Sequence, residues 1–318
     1  MARHYGLDAT ASELPSYIDQ NFLVRTRQAF RYVLKVANSD EDPSFLDAQV
    51  RALEHLGSGS GTLKTPRLVR CLNGARIASA GNHAVWLITF VSGRPLAELS
   101  HPSPALLRKF GRGLGGLDAR LASFSHPGLH RHLRWDLVRA AETLELTADI
   151  EDAAGRDGVR RRLSDFAAEV LPVLRELPSQ PIHNDANDRN VLIEGGGDSM
   201  GLVDFGDLVL TARVCEPAIA MAYAMMGPDD PLRVGKALLA GYHEALPLEE
   251  AEIRLVPDLI VARLCVSVTL SAHERRRDPD NDYVAVSEAS AWRLLERLSA
   301  IQPEQWVATF AHAVEDVQ

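Results

Sequence analysis

Three residues in a short span have types and spacings that suit one reaction. Asp185 and Asn190 stand five apart in His183-Asn184-Asp185-Ala186-Asn187-Asp188-Arg189-Asn190-Val191-Leu192, and Asp204 opens Asp204-Phe205-Gly206-Asp207. The apolar runs 190–194 and 201–205 flank Gly195-Gly196-Gly197-Asp198, which reads as a β-hairpin with a loose turn. Such a hairpin, within residues 182–207, brings a carboxylate, an amide and a second carboxylate to one mouth. Together they offer a base and the hard oxygen ligands that phosphoryl transfer to a hydroxyl requires. Mg²⁺ is usually held by one or two protein carboxylates together with the substrate phosphates.

A transferred phosphate also needs a cation, and the early part of the chain supplies one. Runs 22–26 and 31–37 read as strands joined by a short polar turn. The second contains Tyr32-Val33-Leu34-Lys35, an aromatic and β-branched run with one lysine embedded, which resembles the V-A-I-K strand of kinases whose lysine reaches nucleotide phosphates. The loop before it, residues 15–21, lies where kinases place a glycine-rich cover over the phosphates. It holds no glycine, and Ser16, Gln20 and Asn21 are the donors it offers. Residues 43–56 place Leu46, Val50, Leu53 and Leu56 at helical spacing, with Ser44 as the expected N-cap.

Residues 57–61 read as a flexible linker, and runs 67–71 and 84–91 as further strands. Ser92-Gly93-Arg94-Pro95 then breaks the pattern and marks a hinge between a small β-rich part and a larger helical one. Residues 104–124 and 151–177 have the apolar spacing of buried or half-buried helices. Trp135-Asp136 opens another helical region, and the chain beyond Asp207 reads as largely helical. His126, His130 and His132 lie close together but lack cysteine or carboxylate partners at ligand spacing, so a solvated loop is expected there rather than a zinc site.

The 318 residues suffice for one large or two modest domains, and a 46% hydrophobic content is that of an ordinary globular chain. A net charge of −9 argues against a nucleic-acid partner and suits cationic substrates. Cys71, Cys215 and Cys265 are far apart and odd in number, which indicates neither a disulfide framework nor a zinc pattern. No apolar stretch near Met1 could serve as a signal peptide. Runs 218–226 and 259–270 read as too short, or interrupted by Arg263, to span a bilayer. A cytoplasmic protein with no membrane partner is expected.

The order of Asp185, Asn190 and Asp204 matches the kinase pattern of a catalytic-loop Asp, an Asn five residues on, and the Asp of D-F-G. One departure narrows it: the H-R-D of protein kinases is here His183-Asn184-Asp185, and Asp207 follows the glycine. That variant resembles the aminoglycoside phosphotransferase and choline kinase superfamily of small-molecule kinases. From residue 23 to about residue 298 the chain is similar to a narrower branch, the hydroxylysine kinases and the phosphotransferase module fused to class III aminotransferase-like enzymes. The matching features are Tyr32-Val33-Leu34-Lys35, the stretch from His183 to Leu192, Asp204-Phe205-Gly206-Asp207 and Asp278-Pro279-Asp280-Asn281.

The resemblance implies an α+β, two-lobed protein-kinase-like fold with a small antiparallel β-rich N-lobe (1–91), a hinge (92–97) and a large, mainly helical C-lobe (98–318). It makes Asp185 the base, Asn190 and Asp204 the Mg²⁺ ligands, Lys35 the phosphate clamp and His183 a brace of the loop. Gln49 takes the place of the glutamate that pairs with the lysine, with Asp47 and Glu54 as alternatives. Ser16 and Asn21 would cover the phosphates, and backbone groups near Thr89 and Val91 would meet the nucleotide base. For the acceptor, Asp188 and Asp207 would be substrate contacts, Glu274, Asp280 and Asp282 would hold an ammonium, and Arg263 a carboxylate.

The activity implied is transfer of the γ-phosphate of ATP or GTP to the hydroxyl of an amino alcohol or hydroxylated amino acid, with a fused or associated pyridoxal-phosphate enzyme as a further partner. The alternatives are an aminoglycoside or sugar phosphotransferase, and a nucleotide-binding pseudokinase, for which the glycine-free loop and Gln49 speak.

Overall fold

The computed structural model describes residues 1–16, 19–59, 61–278 and 287–315. Its elements in chain order begin with α1 (Ala2–Tyr5), β1 (Ala9–Leu14), β2 (Gln20–Thr26), β3 (Arg31–Val36) and α2 (Pro43–Gly57). The short strands β4 (Leu63–Lys64), β5 (Leu68–Val69) and β6 (Ala78–Ala80) precede β7 (His83–Thr89) and β8 (Arg94–Pro95). Then come α3 (Pro104–Leu121), α4 (Ala153–Asp165), α5 (Leu171–Leu174), β9 (Ser179–Ile182), β10 (Val191–Glu194), β11 (Ser199–Leu202) and β12 (Val209–Ala212). The chain closes with α6 (Cys215–Ala224), α7 (Pro231–Ala245), α8 (Glu250–Arg277), α9 (Glu288–Ser299) and α10 (Pro303–Glu315).

The N-terminal sheet is antiparallel, in the order β1-β2-β3-β7-β5 with β6 on β7. Strand alternation sorts its side chains. Tyr32, Leu34 and Leu87 join Tyr5, Val24 and Cys71 in a small cluster on one face. Val33, Trp86 and Ile88 face α2 and join the main core. Lys35 is two residues from Val33 and therefore looks toward α2 as well.

That helix begins under Asp42, whose side chain accepts from the Ser44 N–H at 2.8 Å, with Pro43 in the first turn. The cap is thus Asp42 and not Ser44, because a cap must precede the first helical residue and Pro43 already occupies it.

β10 and β11 form the expected hairpin, with Val191 opposite Leu202. It is not free-standing. β4 adds parallel to β11, and β8 antiparallel to β10, giving a four-stranded sheet. Gly93 has φ +145°, and a Cβ there would lie 2.9 Å from Leu192 Cβ and 3.0 Å from Ile193 N, so glycine alone lets the segment run this close to the hairpin. Residues read as a hinge are in part a strand bonded to that hairpin.

Three other segments differ from the sequence reading. β12 pairs with β9 in a region expected to be helical. The helix expected over 151–177 is interrupted at Phe166–Val170 by a π-turn, where Pro172 has no N–H to continue the ladder. Finally, α8 runs for 28 residues and is long and apolar enough to cross a membrane by composition, but 78% of its apolar window is buried inside the protein. It is the central core helix, and Arg263 lies within it at 1% exposure. α3 and α7 pack backbone to backbone through Gly111 and Gly241.

Candidate active site

Between the sheet and the helices lies a cavity of about 320 Å³. Lys35 enters it from β3, only 6% exposed, and its ammonium donates to Asp204 Oδ1 at 3.0 Å across 169 residues of sequence. Burial alone would lower the lysine pKa; the facing Asp204, with Asp19 and Asp207 beyond it, reverses the sign and leaves it raised. Asp204 responds in the opposite direction: the lysine charge holds its carboxyl below the ordinary range against the effect of burial. Asp204 adopts a left-handed backbone, φ +62°, which a non-glycine residue holds only where its surroundings impose it.

Asp185 sits in the same cavity, held from three sides. Asn187 Nδ2 donates to one carboxylate oxygen at 2.9 Å, Asn190 Nδ2 to the other at 2.7 Å, and Arg263 Nη2 approaches at 3.4 Å. Burial and then the Asp207 charge push the Asp185 carboxyl well up; Arg263 opposes them. Asn190 also donates to the Asp185 carbonyl at 2.9 Å. Its amide nitrogen is turned wholly toward Asp185, which leaves the amide oxygen as its outward donor. An amide oxygen and the Asp204 carboxylate are hard oxygen ligands of the kind that suits Mg²⁺, whose remaining positions go to water and phosphate. Among the described residues no cluster of three His, Cys, Asp or Glu side chains offers a closed metal cage.

The loop is propped from below. His183 is fully buried, its Nε2 lies 3.1 Å from the Val203 carbonyl oxygen, and its ring meets Phe205 edge-on at 4.6 Å. Burial lowers its pKa to about 4, so it is neutral at physiological pH and acts as a brace. Asn184 stands at φ +66°, and its backbone N–H donates to Glu216 Oε2 of α6 at 2.8 Å.

Arg263, expected at a substrate carboxylate, lines the cavity beside Asp185 but is itself held by protein groups. Its Nη1 donates to the Trp135 carbonyl at 2.7 Å, and its guanidinium lies over the rings of Trp135 and Tyr223. Gln49 is buried on α2 and lines the cavity, but the hydrogen bond of Lys35 goes to Asp204. Asp47 is occupied by Arg51 and His126, and Glu54 by Arg70 and Arg76, so neither replaces it. Ser16 reaches the cavity from the β1–β2 connection and Asn21 from the start of β2, where its Oδ1 is buried without a partner.

Thr89 and Val91 lie outside the cavity lining. The Thr89 hydroxyl accepts from the Arg67 N–H, and Val91 packs where Gly201 leaves room. Asp188 and Asp207 line the cavity. Burial raises both carboxyls, that of Asp207 to about 6. Glu274 does not line it; it pairs with Arg277 at the end of α8. Asp280 and Asp282 lie outside the described residues.

The sequence reading missed Asp19, Glu41, Tyr223 and Arg131, all of which line the cavity, and Glu216 beneath it. Asp19 lies within the 15–21 loop but carries no donor, and the others have no local pattern, since each is brought in by an element distant in sequence.

A β-sheet lysine facing a D-F-G aspartate across a cleft, above a hairpin that carries an aspartate and an asparagine, defines a phosphotransferase of the protein-kinase-like class acting on a hydroxyl group. Residues 10–254 match the Phosphotransferase enzyme family, APH, and the chain belongs to that family. It is 30% identical to a hydroxylysine kinase of Bos taurus over 90% of this chain and 83% of that protein. A homoserine kinase of Zymomonas mobilis is 27% identical over 74% of this chain and 71% of its own length. Among solved structures, an amicoumacin kinase in complex with AMP-PNP and Ca²⁺ superposes with a TM-score of 0.73, at 14% identity, covering 96% of this chain and 94% of that one.

Proposed function

We propose that this phosphotransferase moves the γ-phosphate of ATP or GTP to the hydroxyl of an amino alcohol or hydroxylated amino acid of the hydroxylysine kind. The observation that carries the reading is the convergence of Lys35, Asp204 and Asp185 on one cavity that Asp19, Glu41, Asp188 and Asp207 also line, with Asn190 bonded to Asp185 at its edge. The names of the relatives, hydroxylysine kinase and homoserine kinase, support a hydroxylated amino acid as acceptor. The amicoumacin kinase, solved with a nucleotide analogue and a divalent cation, supports a nucleotide donor and a metal.

Asp185 accepts the hydroxyl proton, and Asn187 and Asn190 fix its two oxygens so that the carboxylate keeps one orientation. Lys35 offsets phosphate charge from the sheet side. Asn190 and Asp204 would hold Mg²⁺, which when bound neutralises charge on the transferring group. Asp188 and Asp207 provide negative charge for an ammonium. Phosphorylation turns a poor leaving group into a good one, so a pyridoxal-phosphate elimination enzyme is the class of partner that would consume the product.

A coupled assay over hydroxylysine, homoserine, ethanolamine, choline and aminoglycosides, with ATP and with GTP, tests the reading. Acceptor-dependent release of nucleoside diphosphate with a hydroxylated amine or amino acid is expected. Turnover confined to aminoglycosides would refute it.

A further inference from the structure

We propose that Arg131 binds the carboxylate of the acceptor and so makes the enzyme select a hydroxylated amino acid over the corresponding amino alcohol. The proposal rests on the reading above. Arg131 lies in the loop after α3 and lines the same cavity as Asp185 and Asp207. Two neutral contacts orient it: its guanidinium lies 3.6 Å from the centre of the Phe45 ring, and Nη1 donates to the Gly206 carbonyl at 3.0 Å.

Immobilising an arginine beside apolar surface costs side-chain entropy, and here no carboxylate among the described residues comes within ion-pair distance, the Asp207 charge acting on it only from further off. Of the two other arginines that line the cavity, Arg263 is bound to Trp135 and Asp185 at 1% exposure, and the Arg189 charge acts on the neighbouring Asp188 carboxyl. Among the described residues Nε and Nη2 of Arg131 make no hydrogen bond, and the residue lines a cavity that six carboxylates also line. A guanidinium held by a ring face and a carbonyl keeps the rest of its planar fork for an anion, and that fork matches a carboxylate in bidentate fashion.

The anion that completes the site must arrive with a positive charge as well, because Asp188 and Asp207 stand close by. An α-amino acid carries both. Lys35 and the Asn190–Asp204 oxygens already serve the phosphates from the sheet side. A nucleotide phosphate is the other anion that could meet the guanidinium, and the experiment separates the two.

The test uses matched acceptor pairs that differ only by the carboxylate: hydroxylysine against 1,5-diaminopentan-2-ol, and homoserine against 3-aminopropan-1-ol. The wild-type protein should favour the carboxylated member by roughly 100-fold in kcat/KM, the scale of a charge-assisted hydrogen-bonded pair. Arg131→Met, which keeps an apolar contact with Phe45, should lose about that factor for the carboxylated acceptor, mainly in KM. It should leave the decarboxylated acceptor and the nucleotide KM within about threefold of wild type, and Arg131→Lys should fall between.

Equal losses for both acceptors, or a raised nucleotide KM common to both, would overturn the assignment. So would a wild-type enzyme indifferent to the carboxylate, a result that needs no variant and leaves the kinase reading intact. Turnover of neither member by wild type would bring down that reading, and this inference with it.

Discussion

On the proposed function, Asp185 is the residue on which turnover depends, its two carboxylate oxygens held by two amide donors. Asp185→Asn should lower kcat by about 10²–10⁴-fold while nucleotide binding, measured by calorimetry, stays near wild type; a variant retaining near-normal kcat would remove Asp185 from the chemistry. The aspartates and Asn190 were legible because the motif is local, its members separated by a single hairpin. The partner of Lys35 was not. The sequence pointed to Gln49 by analogy with a helix glutamate, whereas the ammonium meets Asp204, a choice set by how the sheet docks on the hairpin. Arg131 escaped for the same reason, since its neighbours Phe45 and Gly206 lie 86 and 75 positions away.

Helix α6 contributes a second prediction. Burial raises the Glu216 carboxyl to about 7, with the N–H groups of Asn184 and His183 pulling it back. A carboxyl whose folded pKa exceeds its unfolded one binds its proton more tightly when folded, so its contribution is present at low pH and is lost as pH rises from about 4.5 to about 7. The slope is at most about 1.4 kcal/mol per pH unit for one group. Glu216→Gln cannot lose a proton, so urea unfolding at pH 5, 6 and 7 should show the variant gaining on wild type with each step; parallel trends would contradict the assignment. The α3–α7 contact gives a third. A Cβ at Gly241 would collide with the Arg108 carbonyl, so Gly241→Ala should destabilise by about 1–3 kcal/mol in the same assay, and a neutral change would show that the helices can part.

Among elements, strands with strong alternation were readable and weakly patterned ones were not. β1 is mostly exposed and carries little apolar signal, and β12 exists because β9 offers it an edge.

At the scale of the molecule, one contiguous core runs from Phe45 through the helices to Phe310, and the small cluster behind the sheet lies outside it. The two-lobed architecture was legible from the change of period near residue 92 together with the family resemblance. α8 was largely legible too, as a helical run over 249–272, and the arginine buried within it is held in the fold by a carbonyl, two rings and a carboxylate. A nucleotide that binds the folded cleft and not the unfolded chain should raise the melting temperature in proportion to RT ln(1 + [L]/Kd). A non-hydrolysable ATP or GTP analogue with Mg²⁺ should do so for wild type and much less for Lys35→Met; equal stabilisation of both would place the nucleotide elsewhere.

The most direct measurement is mass spectrometry of hydroxylysine incubated with the wild-type protein, Mg²⁺ and either ATP or GTP. The account predicts a phosphorylated hydroxylysine formed at the expense of the nucleotide, and its loss in both Lys35→Met and Asp185→Asn. Formation of the same product by both variants at the wild-type rate would contradict it.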